Sequence, residues 1–122
     1  LNGGIETIND ASMFGADFDG VMLGRAAYGA PYILAGVDHV FFGEADAALS
    51  RENVVVAMSR YVKREFGKGV RPHSITRHMI GLYHGAPGAR AWRRFLSENA
   101  NIARDDILDQ ALEYMQSRLT AA

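Results

Sequence analysis

The sequence predicts two fold classes in one chain: an α/β segment over residues 1–35 and an all-α segment over residues 51–122, joined by a connection over residues 36–50. Three observations support this division. Two short apolar stretches near the start each end in glycine and precede a helical pattern. After Ser50 the apolar residues recur every three or four positions, which is the period of a helix. The chain has 122 residues, of which 48% are hydrophobic, and this is enough for a modest core.

The first 35 residues contain a strand, glycine and helix pattern twice. Residues 1–4 end in two glycines and precede a helix predicted for residues 5–14. Residues 19–23 are followed by Gly24 and then by a second short helix. Such alternation is typical of parallel strands joined by crossover helices, and a TIM-type (β/α)8 barrel needs at least about 200 residues. We therefore interpret residues 1–35 as the remnant of such a barrel, two of its βα units, in a C-terminal fragment of a longer protein.

The rest of the chain predicts a connection and a four-helix bundle. Residues 36–50 are punctuated by glycine and aspartate, and we expect Phe41 and Phe42 to pack against a neighbouring block. The four helices are predicted to begin at Ser50, Ser74, Pro87 and Asp105 or Asp106. Their predicted core consists of Val55, Met58, Ile75, Met79, Trp92, Leu112 and Met115.

Charge is segregated along the chain, although the net charge is −1. Residues 1–50 carry a balance of −6, residues 51–95 of +8 and residues 96–122 of −3. A cationic middle third is the place to look for a polyanionic partner, and a solvated basic surface is the equally weighted alternative.

Composition and spacing exclude several kinds of site. Without cysteine, the chain has no disulfide, thiolate metal site or cysteine nucleophile. His73 and His78 would lie about 140° apart on a helix with no acid nearby, so no metal site is predicted. No apolar run approaches the roughly 18 residues of a membrane helix, and no Ser-His-Asp arrangement stands out.

The two glycine-ended stretches are candidate phosphate-binding loops. Glycine lets backbone N–H groups approach a phosphate closely, and (β/α)8 enzymes often build a phosphate site from the loops after strands seven and eight. Arg25 would add a charged clamp. Ordinary tight turns and a solvated arginine are the alternatives, and the tandem of Gly4 and Gly24 leaves the two interpretations even.

The cationic middle third predicts a row of arginines on one helix face. Arg90, Arg93 and Arg94 fall within an arc of about 100°, opposite Trp92, so we expect them to be exposed. The planar guanidinium suits phosphate recognition, which makes this face a candidate surface for a nucleic-acid backbone. Pairing of Arg94 with Glu98 along the helix is the alternative for part of the row. On the preceding predicted helix, a similar line is formed by His73, Arg77 and His84.

Three stretches resemble a known family. NGGI at residues 2–5 and DGVMLGRAAY at residues 19–28 look like the last two strand ends of the flavin barrel of the tRNA-dihydrouridine synthases. ITRHMIGLYHGAPGARAWRRFLSEN at residues 75–99 is similar to the helical domain of their bacterial A-type branch. The resemblance implies a cytoplasmic enzyme that uses FMN, reduced by NADPH, to deliver a hydride to a D-loop uridine of tRNA. The family's catalytic cysteine would lie upstream, so we assign no catalytic residue here and expect this chain alone to be inactive.

The resemblance also implies site residues and partners. The FMN-phosphate contacts would be Asn2, Gly3, Gly4, Gly24 and Arg25. The tRNA contacts would be Arg90 and Arg93, and charge alone adds Arg71, Arg77 and Arg94. Isolated barrel strands would also expose unpaired edges, through which two copies of the chain would associate.

Two other interpretations stay open at this point. One is a stand-alone helical RNA-binding module, which the strand-like segments in residues 1–35 disfavour. The other is the helical cap of a different FMN oxidoreductase, which would present an apolar face where this sequence has a basic one.

Overall fold

A computed structural model describes residues 3–14, 17–45 and 48–121 of the chain. Over these ranges the regular structure is helical. The helices are α1 (Ile8–Met13), α2 (Arg25–Gly29), a 3-10 helix (Pro31–Gly36), α3 (Val37–Phe42), α4 (Arg51–Phe66), α5 (His73–Thr76), α6 (Ala89–Glu98) and α7 (Ile107–Thr120).

The fold class predicted for the first segment is wrong. No βα unit of a barrel is present in the described ranges, where residues 17–24 form turns and bends with one isolated bridge at Met22. A parallel strand satisfies its backbone groups by pairing with neighbouring strands, and the described residues offer no such neighbour. The expected association of two copies through barrel strands therefore loses its premise.

The first helix of this segment is shorter than expected, whereas α2 covers the second predicted helix. The helix predicted for residues 5–14 is only α1, which begins after Thr7, whose side chain accepts a 3.0 Å hydrogen bond from the Asp10 N–H. A further helix, α3, occupies the predicted connection and ends at Gly43 in the left-handed conformation that favours glycine. Phe41 and Phe42 on α3 are both exposed, Phe42 to 73%, so their expected packing is wrong.

The second segment is a helical bundle centred on α7. Helix α7 packs against both α4 and α6. The predicted core is confirmed, because Val55, Met79, Trp92 and Met115 are buried, and Met58, Ile75 and Leu112 pack against them partly buried.

The prediction of a four-helix bundle is wrong for the second helix. Helix α5 is a single turn, and residues 77–88, hereafter the turn segment, form consecutive turns. Two of its carbonyls accept side-chain hydrogen bonds, Met79 from Trp92 Nε1 at 2.9 Å and Leu82 from Arg51 Nε at 3.0 Å. Because side chains satisfy these carbonyls, the segment packs into the core without continuing the helix.

The turn segment also contacts the N-terminal part of the chain, at α2. The Cα of Gly81 lies so close to α2 that a Cβ there would overlap the Gly29 carbonyl. Beside this contact, Tyr28 Oη and His78 Nδ1 are 2.9 Å apart. The N-terminal block, residues 3–14 and 17–36, therefore rests on the turn segment.

Candidate phosphate cleft and arginine surface

An open cleft of about 890 Å³ lies between the N-terminal block and the turn segment. Its walls come from positions within residues 3–6, 22–26 and 29–33 of the block and from His84 of the turn segment. The cleft brings together four of the five residues expected to bind phosphate, Gly3, Gly4, Gly24 and Arg25. The fifth, Asn2, lies outside the described residues.

Gly3 and Gly4 line the cleft in a conformation that favours glycine. Gly3 and Gly4 have φ values of 99° and 71°, which side-chain-bearing residues rarely adopt, and no atom lies within 4 Å of a Cβ built on either. The N–H groups of Gly3, Gly4 and Gly24 donate no hydrogen bond to another described residue. These donors are available to an anion in the cleft.

Three ionisable side chains line the same cleft: Glu6, Arg25 and His84. Arg25 is exposed and has no ion pair with a described residue. The guanidinium is therefore free to form a paired hydrogen bond with phosphate oxygens.

The arginine surface lies on α6, away from the cleft walls. Trp92 and Leu96 of α6 are buried against the rest of the bundle, whereas Arg90 and Arg93 are exposed on the opposite side and pair with no acid among the described residues. Arg94 differs, because its Nε lies 2.9 Å from Glu98 Oε1. The hydrogen bond to the Glu98 carboxylate raises the pKa of Arg94. It also engages the Arg94 guanidinium, the group that a phosphate would bind.

The comparisons with known proteins identify the family of this chain. The family model described as "Dihydrouridine synthase (Dus)" matches residues 1–119. The chain belongs to the dihydrouridine synthase family. The expected family is thus confirmed, and the interpretation as the cap of a different FMN oxidoreductase is excluded.

Curated relatives of this synthase-family chain carry the name "tRNA-dihydrouridine(20/20a) synthase". The chain is 48% identical to the Shewanella oneidensis protein over 99% of its own length. It is 47% identical to an Escherichia coli protein over 97% and 42% identical to the Vibrio cholerae protein over 92%. The chain spans 37%, 35% and 35% of these three relatives, respectively.

Many cations of the synthase-family chain have acidic partners. Among the described residues, Lys63 pairs with Asp109, and Arg64 and Lys68 both pair with Glu65. Asp109 and Glu98, which pair with Lys63 and Arg94, lie outside residues 51–95, so the balance of +8 over that range overstates the charge available to a polyanion. The exposed guanidinium groups without an ion pair in the described ranges belong to Arg25, Arg60, Arg71, Arg77, Arg90, Arg93 and Arg118.

The turn segment alters the arrangement predicted for His73, Arg77 and His84. Arg77 Nε donates a 3.2 Å hydrogen bond to His78 Nε2, and the line of His73, Arg77 and His84 expected on one helix does not exist, because α5 ends at Thr76. His84 instead lines the cleft. The sequence carried no signal for this position, because helical periodicity does not apply to consecutive turns.

The described part of the chain holds neither a metal-ligand cluster nor a membrane-spanning helix. No three histidine, aspartate or glutamate side chains there come together as a metal site. None of the helices there is long and apolar enough to cross a membrane.

Proposed function

We propose that this chain supplies an FMN-phosphate cleft and a tRNA-contacting surface to a tRNA-dihydrouridine synthase. The whole enzyme would be an oxidoreductase that reduces a D-loop uridine of tRNA to 5,6-dihydrouridine, with NADPH as the source of electrons. The observation that carries the proposal is the family match over residues 1–119, together with relatives named as tRNA-dihydrouridine synthases.

The cleft fits the phosphate end of FMN. Its volume of about 890 Å³ lies in the range of small-molecule and cofactor sites. We assign the phosphate contacts to the backbone N–H groups of Gly3, Gly4 and Gly24 and to the Arg25 guanidinium, and we retain Asn2 from the family resemblance. When bound, FMN would supply the hydride chemistry, whereas the residues of this chain bind and orient its phosphate. We assign no catalytic residue to the chain.

The arginine surface would orient the tRNA. Arg90 and Arg93 carry guanidinium groups without acidic partners among the described residues, on a helix that Trp92 anchors in the core. Phosphate contacts of this kind set the register of a nucleic acid without reading its bases. Arg71 and Arg77 remain secondary candidates, and Arg94 is the weakest because it is paired with Glu98.

The test of the tRNA surface is binding of fluorescent tRNA, measured by anisotropy at several salt concentrations. The Arg90→Ala, Arg93→Ala double variant should bind more weakly than the unchanged chain. Each phosphate contact contributes roughly −0.7 to −0.9 to the slope of log affinity against log salt, so the slope should flatten by about 1.5.

A double variant with the same loss of charge is the matched control. Arg104→Ala with Arg118→Ala removes two charges outside the arginine surface. Arg104 is paired with Asp106, and Arg118 is stacked on Tyr114. The control should keep the slope of the unchanged chain. If the two double variants give the same curves, Arg90 and Arg93 are only a solvated face and the proposal for them is wrong.

A further inference from the structure

The net charge of the cleft lining depends on one histidine. Glu6 and Arg25 line the cleft from the N-terminal block, and their opposite charges cancel. The remaining ionisable group is His84, which the turn segment contributes. With a neutral imidazole the lining has no net charge, and with an imidazolium it has a charge of +1.

The His84 ring is available for a ligand. Its nitrogens make no hydrogen bond with a described residue, whereas both ring nitrogens of His78 are engaged, by Tyr28 and Arg77, and His39 Nδ1 lies 3.0 Å from the Glu44 carbonyl. The His84 backbone is fixed, because its N–H donates a 3.0 Å hydrogen bond to the carbonyl of Gly81, the residue packed against Gly29. A held backbone with a free ring at a cleft wall is an arrangement suited to ligand binding.

We propose that His84 is a phosphate-binding residue of this cleft and that its imidazolium selects a phosphate monoester dianion. The inference rests on the proposed FMN-phosphate site and adds to it a residue from the helical part and a dependence on pH. Imidazole gains its proton between about pH 8 and 5, so affinity for the phosphate rises as the pH falls from 8 towards 6.5. Below about pH 6 the monoester itself takes up a proton, which limits the gain.

Linkage gives the proposal a direct observable. If the imidazolium binds the phosphate, the bound phosphate must favour the imidazolium by the same free energy. The midpoint of the His84 titration should therefore rise when FMN is present. This holds even when binding is weak, provided that the ligand is in excess.

The experiment is an NMR titration of the imidazole C–H resonances of the 122-residue chain with FMN and with riboflavin, which lacks the phosphate. The four histidines are assigned with His→Gln variants. FMN should raise the midpoint of His84 by several tenths of a pH unit, and riboflavin should leave it unchanged. His73, which is exposed on α5 and does not line the cleft, is the internal control and should not respond to either ligand.

Binding of FMN by two matched variants provides the second measurement. His84→Gln should lower the affinity at pH 6.5 by about 5-fold and remove the difference between pH 6.5 and pH 8, because an exposed charged hydrogen bond is lost. His73→Gln should change neither value. Equal pH dependence in both variants would overturn the proposal.

The outcomes separate this inference from the proposed function. If FMN shifts the amide resonances of Gly3, Gly4 and Gly24 but not the His84 midpoint, the cleft binds the cofactor and the role of His84 is wrong. If FMN shifts neither, the cleft is not an FMN site, and both the His84 proposal and the FMN part of the proposed function fail. A shift of His84 with tRNA but not with FMN would also overturn the proposal, since RNA phosphates are monoanionic diesters.

Discussion

Ser59 Oγ donates a 2.7 Å hydrogen bond to Asp109 Oδ1 and thereby joins α4 to α7. Lys63 Nζ lies 2.6 Å from the other carboxylate oxygen of Asp109, so one aspartate holds two side chains of α4. Ser59 is buried, whereas Lys63 and Asp109 are nearly half exposed. The serine hydrogen bond should therefore contribute more to stability than the ion pair.

We expect Ser59→Ala to lower the free energy of unfolding by about 1 kcal/mol, because a buried hydrogen bond is lost. The measurement is urea denaturation followed by circular dichroism. Ser117→Ala is the control, since the Ser117 hydroxyl only donates to a carbonyl within its own helix, at the exposed end of α7. Equal effects of the two substitutions would contradict a role for the contact between helices.

Asp109 should make the bundle sensitive to acid. Burial acts to raise the pKa of Asp109, but the hydrogen bonds from Lys63 and Ser59 outweigh it and hold that pKa below its ordinary value of 3.8. A carboxylate with a lowered folded-state pKa stabilises the protein above its unfolded value, and this stabilisation is lost as the pH falls through the folded value. The free energy of unfolding, measured by denaturation at pH 7 and at about pH 3, should fall less between the two for Asp109→Asn than for the unchanged chain. Equal losses would disprove the contribution.

Trp92→Ala should destabilise the chain by roughly 3–5 kcal/mol, because it leaves a cavity in the core. Trp92 is fully buried, and its Nε1–H satisfies the Met79 carbonyl of the turn segment. Arg93→Ala on the next residue should change stability by less than about 0.5 kcal/mol, because its side chain is exposed. Thermal unfolding of both variants decides the matter, and a mild effect of Trp92→Ala would argue against its place at the centre of the core.

Gly81→Ala should separate the N-terminal block from the bundle. A Cβ at residue 81 would overlap the Gly29 carbonyl, and the backbone must move to relieve it. We expect faster hydrogen exchange in α2 and little change in α7. Gly36→Ala is the control, because no atom lies within 4 Å of its Cβ position and its φ is ordinary. Unchanged exchange in α2 of Gly81→Ala would show that the block is held by other contacts.

The chain alone should bind FMN weakly and have no dihydrouridine synthase activity. The cleft is open, and its proposed contacts reach only the phosphate end of the cofactor. Arg25→Ala should lower the remaining FMN affinity by about 10-fold, measured by quenching of flavin fluorescence, whereas Arg118→Ala on α7 should not. A purified chain that stays yellow would be incompatible with weak binding.

The sequence alone predicted the features that depend on neighbouring residues and on periodicity. The burial of Trp92 and the exposure of Arg90 and Arg93 follow from the 3.6-residue period of α6, and the Ser50 cap of α4 follows from local hydrogen bonding. The family was recognised mainly from the long stretch at residues 75–99, and the family match over residues 1–119 confirms it. The site residues inferred from them remain predictions.

Only the tertiary structure decided the features that depend on distant partners. The stretch before Gly24 is not part of a strand ladder, because a strand needs hydrogen-bonding neighbours that local sequence does not reveal. The helix predicted for residues 74–83 ends at Thr76, because Trp92 and Arg51 satisfy the carbonyls of Met79 and Leu82 from elsewhere in the chain. The place of His84 in the same cleft as Gly3, Gly4 and Arg25 has the same origin: it depends on how the turn segment packs against the N-terminal block, and no periodicity encodes that packing.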